Sequence, residues 1–151
     1  MKVSRILYTI FAWLFVVGVL VQVFFAGMVV VAGRMGWDNH IGLGHMLGGP
    51  LVLMLVTMYP GKMPGRIKRL TWLLFLVYVI QADVIIFMRA SLPVLSALHP
   101  VLALVDFALG LGLAWRATAI VRAEETSIPR QFQPENASVI DPVTGASGNV
   151  S

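Results

Sequence analysis

The chain has 151 residues, 58% of them apolar and only 12% charged, and it contains no cysteine. A soluble domain is about 45–50% apolar, so this chain has too little polar surface to cover a water-soluble sphere. The missing thiols exclude disulfides, thiolate metal sites, iron–sulfur ligation and covalent haem attachment. The net charge of +4 sits in segments that flank apolar runs rather than along one basic face, which excludes a nucleic-acid interface.

Four apolar runs follow one another, at residues 6–33, 41–59, 70–88 and 93–120. Each is long enough for a helix to cross a hydrocarbon core of about 30 Å. The first follows Met1-Lys2-Val3-Ser4-Arg5. It is much longer than the roughly 7–15 residues of a secretory apolar region, so it reads as a transmembrane helix and not as a cleaved signal. The second run carries Gly42, Gly44, Gly48, Gly49 and Pro50. Gly44 and Gly48 form a small-xxx-small pair that lets a helix or a flat ligand come close, and Pro50 removes a backbone donor and is expected to bend the helix. The third run contains Gln81 and Asp83. In the fourth, Pro93 and Pro100 predict a short turn over 93–98 and a main helix from Pro100. From Glu124 onward the composition turns to Pro, Asn, Ser and Gly, which predicts an extended polar tail at 124–151.

Loop charges give a direction. Lys2, Arg5, Lys62, Arg66, Lys68, Arg69, Arg116, Arg122 and Arg130 fall on one side of the runs, and only Arg34 and Arg89 on the other. Positive loops stay in the cytoplasm. The expected architecture is therefore an all-α integral membrane four-helix bundle (residues 1–123), with both termini cytoplasmic and outer loops at 34–39 and 89–92. A bacterial inner membrane is the expected location.

The polar residues within or beside the runs gather toward the outer end. At 1.5 Å per residue, Asp83 lies about 9 Å below Arg89 and Asp106 about 9 Å below Pro100. His40, His45, His99, Gln22 and Gln81 fall in the same half, leaving the inner half almost wholly apolar. Neutral imidazole is a good axial ligand for haem iron, and His99 pairs in depth with either His45 or His40. Gly44 and Gly48, one or two turns from these histidines, offer a strip without side chains for a macrocycle. One b-type haem is the expected cofactor; a bacteriochlorophyll, a quinone or no cofactor at all are the alternatives. The bland reading makes His40 and His99 interfacial, pairs His45 with a carboxylate, and treats Gln22 and Gln81 as interhelical hydrogen-bonding residues. Asp83 and Asp106 must each be paired or protonated in lipid; Arg89 or a histidine is the expected partner, and a proton or quinone site is the functional reading.

The segments Val21-Gln22-Val23-Phe24-Phe25-Ala26-Gly27, His40-Ile41-Gly42-Leu43-Gly44-His45, Gln81 and Ala97-Leu98-His99-Pro100 resemble a family of small uncharacterised bacterial four-span membrane proteins, over residues 7–117. That family has no established activity. Paired histidines on the second and fourth runs are also similar in arrangement to four-helix b-type cytochromes; the chain departs from their di-haem form, which has a second pair on the opposite leaflet. The expected role is a membrane subunit of a respiratory or photosynthetic energy-transducing complex, with other membrane subunits as partners. The alternative is a cofactor-free assembly subunit whose tail docks a partner.

Overall fold

A computed structural model describes residues 1–88 and 91–126, with Ile86 described by its backbone alone. Arg89, Arg130 and the tail from residue 127 onward lie outside the described residues. Helices α1 (Lys2–Val30), α2 (Asp38–Met46), α3 (Gly48–Thr57), α4 (Gly65–Val79), α5 (Ile85–Met88) and α6 (Leu98–Thr126) build four columns, and the described residues include no strand. Three segments, Lys2–Val30, Asp38–Thr57 and Pro93–Thr126, are long and apolar enough to cross a membrane.

Helix α1 buries Tyr8, Ala12, Phe15, Val16 and Val19, a stripe at helical spacing. Its other faces expose Leu14, Val17, Leu20 and Phe24. A surface this apolar is unsuited to water and suited to lipid or protein. The helix ends where Gly33 takes φ +59°, a conformation that costs a Cβ-bearing residue energy.

The second column breaks at Leu47, between α2 and α3. The cause is Pro50: it lacks the N–H that would bond the Met46 carbonyl, and its ring crowds that carbonyl. The third column, residues 65–88, runs from α4 through a π-helical turn (Ile80–Val84) into α5. The fourth opens with a 3-10 turn over Pro93–Ala97, after which α6 continues to Thr126. That is beyond the expected end at residue 120. Pro100, the third residue of α6, sits in the first turn, where no intrahelical donor is missed.

The columns form a ring. Helix α1 packs on α3 and α6, and α4 packs on the same two. The α1–α6 contact is the most extensive, because α6 presents Gly110, Ala114 and Ala117 to it. A Cβ on Gly110 would sit 3.0 Å from the Phe15 ring, so the backbone there is as close as the ring permits. At the basic end, Arg5 Nε donates to the Gly61 carbonyl at 2.7 Å, and the Arg5 guanidinium pairs with Glu124. Glu124 thus belongs to α6 and ties it to α1.

The half of the bundle nearest the basic end is less apolar than the sequence suggests. The Tyr8 hydroxyl lies 2.7 Å from Thr71 Oγ1 across the bundle, and both residues are fully buried. Thr71 in turn bonds the Ile67 carbonyl at 2.9 Å, so the pair is internally satisfied, as buried hydroxyls must be.

The two hairpins repeat one another. His40 and His99 are 59 residues apart, and so are Gln22 and Gln81. The same offset links buried positions: Tyr8 with Ile67, Ala12 with Thr71, Phe15 with Leu74, Val19 with Tyr78, Leu47 with Asp106, Leu51 with Gly110, Met54 with Leu113, and Met58 with Ala117. This exchanges α1 with α4 and α3 with α6, the relation expected of parallel repeats about an axis along the bundle. Four pairs break it in chemistry. Tyr8 gives way to Ile67, whereas Ala12, Val19 and Leu47 give way to Thr71, Tyr78 and Asp106, so the second hairpin carries more of the buried polar groups.

Candidate functional site

The repeat brings two histidines to one place. His40 stands in the first turn of α2 and His99 in the first turn of α6. Their ring centroids are 6.1 Å apart and the planes 68° apart. Each ring is held from behind. His40 Nδ1 lies 3.1 Å from the Gln22 carbonyl oxygen, and His99 Nδ1 lies 3.1 Å from the Gln81 carbonyl oxygen. A carbonyl only accepts, so each Nδ1 donates and carries the proton. With the proton on Nδ1, the lone-pair nitrogen is Nε2, and a carbonyl behind the ring in this way prepares an imidazole to bind a metal. Trp37 packs edge-on against His40 at 5.5 Å.

His45 is elsewhere. It is exposed, and its Nδ1 bonds the Ile41 carbonyl of its own helix at 2.9 Å. Of the two histidines expected to share a site with His99, the structure brings His40 beside it and turns His45 outward. The expected strip at Gly44 and Gly48 is also filled. A Cβ on Gly44 would fall 2.7 Å from Gln22 Nε2, and one on Gly48 would fall 3.2 Å from the Tyr78 hydroxyl. These glycines admit side chains of neighbouring helices. Tyr78 donates to the Gly44 carbonyl at 2.6 Å, which pins α4 to α2.

Asp106 is fully buried, and its partner among the described residues is an amide and not a histidine; the other expected partner, Arg89, lies outside them. Gln81 Nε2 donates to Asp106 Oδ2 at 2.8 Å, an interhelical bond from the π turn to α6. A connected path results: Gln22, His40, His99, Gln81, Asp106. Along it, Gln22 Oε1, Gln81 Oε1 and Asp106 Oδ1 are buried and accept no bond from any described residue. Buried acceptors are normally satisfied, so this end of the bundle has room in its bonding for a donor such as water or a ligand. Asp83 stands apart, exposed on the outer face of the π turn.

Tyr78, Thr71 and Tyr8 escape a reading that weighs only charged groups, amides and histidines. The 59-residue offset is the signal that finds Tyr78 and Thr71, since each replaces an apolar core residue of the first hairpin. The offset also sorts the other candidates. The counterpart of His45 is Leu104 and that of Asp83 is Phe24, both well exposed.

Residues 22–89 match a family of unknown function (DUF6220). The matched stretch begins at Gln22 and takes in His40, His45, Gln81 and Asp83; His99 and Asp106 fall beyond it. No curated protein and no solved structure matches the chain.

Proposed function

We propose that this chain is a small integral membrane protein of a bacterial inner membrane, with both termini cytoplasmic, that serves as a subunit of an energy-transducing assembly. In this reading His40 and His99 would hold one b-type haem at the outer end of the bundle. The observation that carries it is the matched pair of Nδ1 bonds to the Gln22 and Gln81 carbonyls. Those bonds set the tautomer of both rings and leave Nε2 free on each, as bis-histidine ligation requires. The residues fit the group in donor chemistry: two neutral imidazoles, from different helices, at one depth. A haem supplies one-electron chemistry when bound. The chain's own contribution is to fix the two rings, to pack Trp37 edge-on against His40, and to set acceptors near the site at Gln22, Gln81 and Asp106. Orientation rests on the nine-to-two imbalance of cations between the two ends.

A visible spectrum of the purified protein is the test. A reduced-minus-oxidised Soret and α-band should appear, vanish in His40→Ala and in His99→Ala, and survive in His45→Ala. A colourless protein that stays helical on extraction overturns the haem reading.

A second reading is favoured by the filled glycine strip. With Gln22 and Tyr78 seated on Gly44 and Gly48, the bundle closes on itself, which suits a cofactor-free assembly subunit docked through its tail. Deleting residues 127–151 would then abolish co-purification of partner subunits; unchanged assembly counts against it.

A further inference from the structure

We infer that the groove between α4 and α6 at the basic end is a binding site for one anionic phospholipid. The groove has a volume of about 430 Å³ and is open on one side. Arg66 and Arg116 stand over it, and its walls include Leu70, Val105 and Leu109. No carboxylate lines it. The two guanidiniums are therefore uncompensated within the groove, and an apolar trough leads away from them. Eleven residues of α6 separate Arg116 from Val105, about 16 Å of helix. A phosphate on the arginines and an acyl chain along that wall would satisfy both ends of the groove at once. This is the chemistry of basic pockets between helices that take acidic lipid headgroups.

The conformation of Arg116 supports the assignment. Its Nη1 donates to the Gly112 carbonyl at 3.0 Å, one turn back along its own helix. A Cβ on Gly112 would lie 2.8 Å from that nitrogen, so the missing side chain is what lets the guanidinium lie back over the groove. A long cationic side chain at a membrane boundary ordinarily extends its head toward water. Here the exposed head is instead drawn back along α6 at the edge of the groove, where no carboxylate faces it. A second copy of the chain is a poorer occupant, because docking by the same face would set four guanidiniums against one another. The inference shares the membrane reading above but not the haem.

The full chain in mild detergent is incubated with phosphatidylglycerol, with phosphatidylcholine, and with inorganic phosphate. Bound lipid is read by native mass spectrometry and stability by thermal unfolding. Phosphatidylglycerol should be retained and raise Tm, whereas phosphatidylcholine and phosphate should do neither. The double variant Arg66→Gln/Arg116→Gln should weaken phosphatidylglycerol binding by about 30-fold, as expected for two surface cations, with unchanged helicity. Val105→Trp, which keeps both charges and fills the trough, should weaken it too and serves if the double variant misfolds. Equal retention of phosphatidylcholine, displacement of lipid by phosphate alone, or full binding by both variants overturns the site. So does efficient disulfide dimerisation of Val105→Cys in native membranes, which the cysteine-free chain makes unambiguous and which would place a second copy in the groove.

Discussion

Replacing Gln81 by leucine isolates the most deeply buried carboxyl group of the bundle. Asp106 is fully buried, its Oδ2 accepts the Gln81 amide at 2.8 Å, and its Oδ1 accepts nothing from the described residues. Without that amide the whole group loses its described donor. Leaving a buried polar group unsatisfied costs about 1–3 kcal/mol, more when it is charged, so Gln81→Leu should destabilise by about 2 kcal/mol. Asp106→Ala strips the amide of its acceptor and leaves a void, with a loss of similar size, about 1–3 kcal/mol. The double variant Gln81→Leu/Asp106→Ala shifts volume from one side chain to the other and removes both polar groups. Apolar replacement of a whole buried pair is often near neutral, so the double variant should lie within about 1 kcal/mol of the parent. The cycle then returns a coupling of about 2 kcal/mol or more. Unfolding in mixed micelles, followed by circular dichroism against denaturing detergent, measures all four proteins on one scale. Additive losses, with the double variant less stable than either single one, would refute the reasoning: the two groups would then be contributing packing and not a mutual bond.

Gly110→Ala should destabilise by about 1–3 kcal/mol, because its Cβ meets the fully buried Phe15 ring at 3.0 Å and overpacking carries that cost. Gly49→Ala, which meets nothing within 4 Å, should instead stabilise by up to about 1 kcal/mol through helix propensity; the same micelle titration compares them. Tyr78→Phe removes the bond to the Gly44 carbonyl and should lose about 0.5–1.5 kcal/mol, and a loss confined to that range would show that Tyr78 is glue and not a second anchor of the histidine site. A cycle on Arg5→Ala and Glu124→Ala should give a coupling above the roughly 0.2–1 kcal/mol of exposed pairs, since only 17% and 31% of those side chains are exposed. A coupling near zero in low salt would mean that Arg5 acts through Gly61 alone.

The columns were legible because each is an apolar run, and a run needs no knowledge of its neighbours. The interruption at Leu47 was legible for the same local reason, since Pro50 withdraws its own bond. Rotation about the helix axis was not. His40 and His45 differ by five residues, about 140° around a helix, so at most one faces inward, yet both have glycines within one or two turns. Depth alone left the choice open. Likewise Asp83 and Asp106 look alike along the chain, and only the packing of α6 on the third column separates a buried carboxyl from an exposed one. The Tyr8–Thr71 bond was hidden for another reason: hydroxyls near the end of a run pass as interfacial residues until the two helices are seen to face each other. The interval of 59 residues would have resolved most of this, because a histidine with a histidine counterpart belongs to the repeat and one with a leucine counterpart does not.

The anchoring of the histidines has a consequence for how the molecule is put together. His40 is held by Gln22, within the first hairpin, and His99 by Gln81, within the second. Each hairpin therefore carries a finished half-clamp, and nothing in the connection between Thr57 and Gly65 touches either ring. That connection works as a tether that guarantees one of each half. A chain cut there and expressed as two fragments has, in its α1–α6 seam of small residues, the surface needed to bring the halves back into register.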